Sequence, residues 1–303
     1  MRHFLKVTDL STAEIIELVE AAKANIGEHS DILSGKSLGM IFAKPSTRTR
    51  VSFTVGAYEL GGHVMFISER EMQLGRGETL EDTAEVLSRY LDGLVIRTYS
   101  QEDLERFTAA SKIPVINGLT DERHPCQALA DLMTISQFHD DFTKVKVAYL
   151  GDGNNVSTSL TNICAMVGAS VAVCTPPELE PPEWAIAEAQ ELAVKGGGSV
   201  EFTYNPQEAV ADADFLYTDV WFSMGQQRVP EKSRRLEPYR IDEKLLAAAG
   251  PDCRVMHCLP AHRGEEISAG VIDGPQSIVF QQAENRLHAQ KELLKKLMGD
   301  AQA

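Results

Sequence analysis

Cysteine and long apolar runs are both scarce in this sequence. Its five cysteines, at positions 126, 164, 174, 253 and 258, are odd in number and never form a C-x-x-C pair, which argues against a disulfide framework and a structural zinc site. We expect reduced thiols, most of them buried as small hydrophobes. No window approaches 18 consecutive apolar residues, and the start lacks the apolar stretch of a signal peptide. The sequence therefore predicts a cytoplasmic protein with no membrane partner.

Positive charge is also in short supply. The chain has 29 Lys and Arg against 44 Asp and Glu, a formal net charge of −15, and such a surface repels a phosphate backbone. Nucleic acid is therefore not an expected partner. Hydrophobic residues nevertheless make up 43% of the 303 residues, which excludes a disordered chain. That length predicts two domains.

Apolar runs alternate with helical patterns along most of the chain. Ser11-Thr-Ala-Glu14 has the form of a capping box at the start of a first helix. Further helices are predicted over 46–60, 80–91, 124–138 and 285–298. The strand-like runs are 37–43, 63–67, 94–97, 114–116, 145–150, 170–174, 199–203, 214–217, 253–256 and 277–280. This alternation predicts an α/β fold with parallel sheets.

A polar, aperiodic segment, His139-Asp-Asp-Phe-Thr-Lys144, separates the two sets of strands. We place the domain boundary there, with a first domain of residues 1–139 and a second of 140–284. The final helix, from residue 285, has no strand after it, so we expect 285–303 to cross back and join the first domain. The active site is expected in the cleft between the two domains.

The first candidate site follows the first strand, at Lys44-Pro-Ser-Thr-Arg-Thr-Arg50. In parallel sheets, ligands bind beyond the carboxyl ends of the strands. Ser46, Thr47, Arg48 and Thr49 would place hydroxyls, free amides and a guanidinium in one helical turn, and that set favours a phosphate group. The alternative is an ordinary N-cap with two solvated arginines. Capping needs one hydroxyl rather than this whole set, so we favour the anion site.

Two further strand ends offer hydrogen-bond donors. Arg97 ends one strand, and His124 and Gln127 begin a helix after another. If they converge, they can polarise a carbonyl group. Taken alone, Arg97 is also typical of a salt-bridge partner and His124 of a helix cap.

The second half of the chain holds three more polar segments after strands. Gly151-Asp-Gly-Asn-Asn-Val156 starts like a dinucleotide fingerprint, but Val156 replaces its third glycine, which disfavours a nicotinamide dehydrogenase. Asp219 and Ser223 could bind an ammonium group, and Cys258 would face the same cleft. Each segment is also compatible with a plain turn. His257 and His262 are five residues apart around a proline, a poor metal-ligand spacing, so we expect no metal.

Taken together, these segments resemble a known family. Ser46-Thr-Arg-Thr-Arg50 and His124-Pro-Cys-Gln127 are similar to motifs shared by the transcarbamoylases, including the aspartate enzymes. Asp219 with Ser223-Met-Gly225, and His257-Cys-Leu-Pro260, resemble the ornithine branch, and the match runs in order from residue 1 to about 298. The resemblance implies ornithine carbamoyltransferase activity without a cofactor, with carbamoyl phosphate bound by the first domain and ornithine by the second.

The resemblance also implies roles for single residues. For carbamoyl phosphate they are Ser46, Thr47, Arg48, Thr49, Gln73, Arg97, His124, Gln127, Cys258, Leu259 and Arg286. For ornithine they are Asn155, Asp219, Ser223 and Met224. The expected catalytic residues are Arg97, His124, Asp219 and Cys258. Gln73 is similar to a glutamine that reaches a neighbouring subunit's site, which implies a homotrimer with a shared active site.

Several alternatives stay open at this point. The acceptor could be another amine, such as putrescine or N-acetylornithine, and the chain could be a catalytically silent paralogue. Arginine biosynthesis is the expected role, although the sequence does not separate synthesis from degradation of arginine. A segment beyond the last helix that would build a larger assembly is not expected.

Overall fold

The computed structural model describes residues 2–68, 77–223 and 226–299. The chain divides into two compact units, one of residues 1–133 with 285–303 and one of residues 134–284. The sequence-based boundary at residue 139 lies a few residues beyond this division. None of the described helices combines the length and the apolar character that crossing a membrane requires.

The first unit is built on a parallel sheet of four strands among the described residues, in the order β2-β1-β3-β4. These strands are β1 (Ser37–Phe42), β2 (His63–Ser68), β3 (Gly93–Arg97) and β4 (Val115–Leu119). Its helices are α1 (Thr12–Ala24), α2 (Thr47–Glu59), α3 (Leu80–Leu87), α4 (Gln101–Ala110) and α5 (Pro125–Ser136), the last of which extends past the unit boundary. β3, one of the two central strands, is buried along its whole length, whereas every residue of the edge strand β2 is exposed or half-buried.

The second unit has a parallel sheet of five strands in the order β7-β6-β5-β8-β9, again counting described residues. They are β5 (Lys146–Leu150), β6 (Ser170–Cys174), β7 (Ser199–Thr203), β8 (Phe215–Thr218) and β9 (Arg254–His257). The helices are α6 (Asn155–Met166), α7 (Glu183–Gly196), α8 (Pro206–Val210), α9 (Pro230–Leu236), α10 (Glu243–Ala249) and α11 (Ala269–Ile272).

The last helix, α12 (Val279–Met298), supplies its residues from Asn285 onward to the first unit. Lys291, almost fully buried, donates to Glu59 of α2 at 2.6 Å. Gly93, at the start of β3, lies so close to Met298 that an added Cβ would sit 2.6 Å from its sulfur. The prediction of two parallel-sheet α/β domains, with a final helix that crosses back to the first, is confirmed.

One predicted strand is wrong. Ser277 forms only an isolated bridge to Val255, and α12 begins at Val279. Val279 is buried while Phe280 is exposed, so this short apolar run is the first turn of an amphipathic helix. The capping box at Ser11 is confirmed, since its hydroxyl accepts from the Glu14 amide at 3.3 Å and the Glu14 carboxylate accepts from the Ser11 amide at 3.0 Å.

Candidate active site

The turn between β1 and α2 begins the helix with a side-chain cap. Ser46 is extended, and its hydroxyl oxygen accepts from the Thr49 amide at 3.3 Å. Thr47 is exposed, Ser46 and Arg48 are half-buried, and Thr49 is buried. The cap is therefore present, and it leaves the Ser46 and Thr47 hydroxyls and the first amides of α2 to donate to an anion. The cap is confirmed, and the anion site stays a prediction that the cap does not exclude.

Arg286 of α12 joins three of the predicted residues within the first unit. Its guanidinium donates from Nη2 to Thr49 Oγ1 at 2.9 Å and from Nη1 to Gln127 Oε1 at 2.7 Å. Nη1 also lies 3.2 Å from His124 Nε2. The side chain is 3% exposed. Residues from α2, from the start of α5 and from α12 are thus brought together around one buried cation.

The bond to Arg286 fixes the tautomer of His124. A guanidinium can only donate, so His124 Nε2 must accept and the ring proton sits on Nδ1. Burial lowers the pKa of His124 well below its usual value, and the positive charges of Arg286, Arg97 and Arg48 lower it further. His124 is therefore a neutral imidazole, and its remaining donor is Nδ1–H.

Arg97 ends β3, one of the two central strands of the sheet, and is 5% exposed. Its backbone oxygen accepts from the Ala43 amide at 2.8 Å, which ties the ends of β3 and β1 together. Since Arg48, Arg97 and Arg286 all act on His124, this edge of the sheet concentrates positive charge in a protein that is acidic as a whole.

Two residues of this region were not singled out from the sequence. Asp131, fully buried in α5, accepts from Gln127 Nε2 at 2.8 Å and so orients the Gln127 amide with its oxygen toward Arg286. Lys44 pairs with Asp121 and lies 4.2 Å from the centre of the Tyr99 ring. Asp131 lies one helical turn after Gln127, a spacing that could have indicated the pair.

In the second unit, Cys258 and Asp219 are in contact. The Cys258 thiol donates to Asp219 Oδ1 at 2.9 Å, and Asn154 Nδ2 donates to Asp219 Oδ2 at 2.8 Å. Asp219 follows β8 and Cys258 follows β9, which are neighbours in the sheet. The structure therefore brings together the two predicted catalytic residues of this half of the chain.

Of the other residues proposed for ornithine, Asn155 and Ser223 lie in the described part of the chain. Asn154 caps α6 and accepts from the amides of Val156 and Ser157 at 2.9 and 3.1 Å. Asn155 is the first residue of that helix. Ser223 is half-buried, and its amide donates to Gln226 Oε1 at 3.2 Å. Met224 and Gln73 lie outside the described residues.

The segment that presents Cys258 is fixed by a buried histidine. His257 Nδ1 accepts from the Leu259 amide at 2.9 Å, so its proton lies on Nε2, 3.2 Å from Glu266 Oε1. His257 and Glu266 are both fully buried. Leu259 has φ of +55°, a strained conformation for a branched side chain. Glu266 was not predicted from the sequence.

Asp219, His257 and Cys258 place one possible metal-ligand atom each within 4.8 Å of the others. Both ring nitrogens of His257 are already engaged, however, by Leu259 and Glu266. This set of three therefore fits a hydrogen-bonded network better than a metal centre. That the substrate site needs no metal stays a prediction.

Comparison with known proteins identifies the relatives of this chain. Residues 2–137 match the family model for the carbamoyl-P binding domain of aspartate/ornithine carbamoyltransferase, and residues 143–297 match that for its Asp/Orn binding domain. An ornithine carbamoyltransferase of Bacillus cereus is 53% identical, over 97% of this chain and 93% of its own. One of Parafrankia sp. is 52% identical, over 100% of this chain and 98% of its own.

Solved structures agree with these sequence matches. Ornithine carbamoyltransferase from Pyrococcus furiosus superposes with a TM-score of 0.95 at 48% identity, covering 99% of this chain and 98% of that one. The enzyme from Gloeobacter violaceus gives a TM-score of 0.89 at 44% identity, over 99% and 100% of the two chains.

Proposed function

The chain belongs to the aspartate/ornithine carbamoyltransferase family and acts as a carbamoyltransferase on ornithine, and we propose which of its side chains bind each substrate and which take part in the chemical step. The δ-amine of L-ornithine attacks the carbonyl carbon of carbamoyl phosphate. A tetrahedral oxyanion forms, the bond to the phosphate oxygen breaks, and L-citrulline and inorganic phosphate result. The amine nitrogen loses one proton in the course of the reaction.

The observation that best supports this assignment of roles is that three side chains converge on Arg286. A buried guanidinium held by Thr49, His124 and Gln127 is preorganised for an anion, because its hydrogen-bond geometry is set before the ligand arrives. The phosphate group is proposed to bind the hydroxyls and amides of Ser46, Thr47 and Thr49 together with Arg48.

Arg97, His124, Gln127 and Arg286 are proposed to surround the carbamoyl end. Arg97 and the Nδ1–H of neutral His124 donate to the carbonyl oxygen as it becomes an oxyanion. A lost donor of this kind raises the barrier by roughly 2.7–4 kcal/mol. Gln73, Cys258 and Leu259 are the further residues proposed for this substrate. No group beyond the side chains is required, since phosphate is a good leaving group and positioning supplies much of the rate.

Ornithine is proposed to bind Asn155, Asp219, Ser223 and Met224. Its δ-amine must lose a proton before attack, because an amine with a pKa of about 10.4 is mostly protonated at neutral pH. Cys258 and Asp219, in contact at 2.9 Å, are placed to accept that proton or to favour the neutral amine.

Steady-state kinetics test the acceptor. Purified protein is expected to form citrulline from ornithine and to use putrescine and N-acetylornithine poorly, and Asp219→Asn is expected to abolish most ornithine turnover. Unchanged turnover by Asp219→Asn would contradict the acceptor assignment, and no citrulline from the unsubstituted protein would favour the silent-paralogue alternative. Titration with NADH tests the dehydrogenase alternative, and we expect no binding.

We further propose a cytoplasmic enzyme of arginine biosynthesis. The five cysteines are all free thiols, which fits a reducing compartment. Growth of an arginine auxotroph that lacks its own ornithine carbamoyltransferase, on medium without arginine, tests the biosynthetic role. Failure of the expressed, active protein to support growth would contradict it.

A homotrimer with Gln73 contributed across the interface is also proposed. The first unit exposes apolar side chains at Val51 and Tyr58 of α2 and at Met65 of β2, and such residues fit a subunit contact. Mixing a Gln73→Ala variant with an Arg48→Ala variant under subunit exchange is expected to restore part of the activity, because some sites then receive both intact residues. No recovery in mixtures shown to contain hybrid trimers would contradict the shared site.

A further inference from the structure

The turn after Pro260 brings one imidazole and two carboxylates together. One ring nitrogen of His262 and one carboxylate oxygen each of Glu265 and Glu266 all lie within 4.8 Å of one another. Backbone bonds fix this turn: the Glu265 amide donates to the His262 oxygen at 2.9 Å, and the Gly264 amide donates to the Ile267 oxygen at 2.8 Å. The three side chains are therefore held near each other by the backbone.

Glu266 has one oxygen that the described part of the chain leaves unsatisfied. Its Oε1 accepts from His257 and from the His262 amide. Its Oε2 is buried and has no hydrogen-bond partner within residues 2–68, 77–223 and 226–299, and the same holds for His262 Nδ1. A fully buried carboxylate oxygen is costly to leave without a partner, so this atom is available to bind a cation.

The distance between these two atoms fits an ion placed between them. Oε2 and Nδ1 are 3.7 Å apart, too far for a good hydrogen bond. Two ligands bound at about 2.1 Å to a tetrahedral ion lie roughly 3.4 Å apart. Small side-chain movements would let both atoms bind one metal ion.

The donor set and its surroundings indicate which kind of ion. One imidazole nitrogen and two carboxylate oxygens suit Zn²⁺, Co²⁺ and Ni²⁺. The side chains of His262 and Glu265 are 39% and 32% exposed, so an ion can enter from solvent and keep a water ligand. Glu265 pairs with the exposed Arg228 at 2.5 Å, a contact that metal binding would replace.

From this geometry we propose that His262, Glu265 and Glu266 form a binding site for a divalent transition-metal ion of the zinc class. The site is separate from the residues proposed for the substrates. His257 bonds Oε1, the other carboxylate oxygen of Glu266. A hydrogen bond of this kind, from a residue that does not bind the metal itself, orients a metal-binding carboxylate. The sequence pattern of two histidines five apart pointed away from a metal, whereas the ligands proposed here are a histidine with glutamates three and four residues later.

Cobalt titration of the full chain, tag-free and freed of metal by a chelator, tests the site. The Cys258→Ser variant is used so that the Asp219–Cys258 pair has no thiolate. Calorimetry is expected to show one Co²⁺ bound per chain, and the visible spectrum to show nitrogen and oxygen ligation with no sulfur-to-metal charge-transfer band. If Co²⁺ binds only when Cys258 is intact, the ion belongs to the other cluster and the proposal is overturned.

A matched pair of histidine variants in the same Cys258→Ser background locates the ion. His262→Gln is expected to weaken Co²⁺ binding by about 10- to 100-fold. His139→Gln, which alters a histidine 3.9 Å from the single carboxylate of Asp214, is expected to leave it unchanged. Equal affinity in the two variants, with circular dichroism showing both folded, would overturn the proposal.

Discussion

Arg286 shows how one side chain organises the proposed carbamoyl-phosphate site. A guanidinium is planar and offers donors in fixed directions, so it can hold Thr49, Gln127 and His124 at the same time. These three partners are neutral and therefore do not cancel the charge of the guanidinium. Asp131 extends this order by holding the far end of Gln127.

Replacement of Arg286 by lysine is expected to damage the site although the charge is kept. An ammonium group is a point charge that cannot reproduce the fixed N–H directions of a guanidinium. We therefore expect kcat/KM for carbamoyl phosphate to fall by roughly 10- to 100-fold, equivalent to a loss of transition-state stabilisation of about 1.4–2.8 kcal/mol. Arg263→Lys is the control, because Arg263 forms a comparable forked pair with Asp273 on the exposed surface. Equal kinetics in the two variants would contradict the role of Arg286.

His124 predicts a pH dependence of stability. Its pKa is lowered in the folded protein, so below the unfolded value of about 6.5 the unfolded chain binds a proton that the folded chain does not. The free energy of unfolding should therefore fall as the pH drops below 6.5, by up to about 1.4 kcal/mol per pH unit from this residue. Urea unfolding at pH 7.5, 6.5 and 5.5 should show a shallower slope for His124→Gln. Parallel slopes would contradict a neutral, buried His124.

At the residue scale, the sequence indicated donors but not the partners that orient them. Thr49, His124 and Gln127 were named because hydroxyls, amides and cations after strands are informative by type, whereas Arg286 was named only through the family resemblance. Asp131 and Glu266 were missed. A buried carboxylate is recognisable only from the tertiary contacts that bury it, and its local sequence is like that of a solvated one.

At the element scale, α12 completes the first unit by close packing and by a buried ion pair. Lys291 bonds Glu59 of α2, and its Cγ lies 3.2 Å from where a side chain on Gly56 would begin. A larger residue at position 56 would need the Lys291 and Leu287 side chains to shift by a few tenths of an ångström. The proposed anion site thus depends on a helix distant in sequence that is fixed independently of the ligand.

Helices α6 and α7 of the second unit give a prediction of the same kind. A Cβ on Gly196 would lie 2.1 Å from the Ala165 backbone oxygen and 2.9 Å from that of Met166. Because the backbone cannot move aside as a side chain can, Gly196→Ala should lower the free energy of unfolding by about 1–3 kcal/mol. Val194→Ala, in the same helix but 84% exposed, should change it by less than about 0.5 kcal/mol. Equal values from urea unfolding would contradict this packing.

Element types were largely predictable because their periodicities differ. The strands of both sheets and the helices α1, α2 and α5 follow apolar patterns of the expected kind. The exception is 277–280, where four residues are too few to separate a strand from a helical turn. No helix range was predicted for α4, α6 or α7, nor for α8 to α11. Helices α8 to α11 are too short to show a helical period, and α6 is buried along its whole length, so it has no polar face to reveal one.

At the scale of the whole molecule, a strongly acidic chain binds an anionic substrate. The net charge of −15 acts over the surface and is screened within about 8 Å at physiological salt, whereas Arg97 and Arg286 are buried and are proposed to act on the substrate at contact distance. The local field therefore decides the binding. The length of the chain predicted two domains, and its net charge argued against a nucleic-acid partner. Neither quantity contains information about a local cluster of positive charge within an acidic protein.

Binding should be visible as a change in global stability. A bisubstrate mimic with a phosphonate in place of the phosphate ester is expected to raise the free energy of unfolding by about 2.7 kcal/mol at 100 times its Kd. Arg286→Lys should need a higher concentration for the same rise in Tm. A Tm that does not respond to the mimic in the unsubstituted protein would contradict the proposed phosphate site.

The return of α12 to the first unit also has a consequence for synthesis of the chain. The ribosome makes Thr49, His124 and Gln127 early, but Arg286 emerges only after the entire second unit has been translated. The first unit must therefore wait, incompletely packed, for the last helix to leave the exit tunnel. A nascent chain stalled before that helix would hold most of the proposed substrate groups and still lack the guanidinium that gathers them.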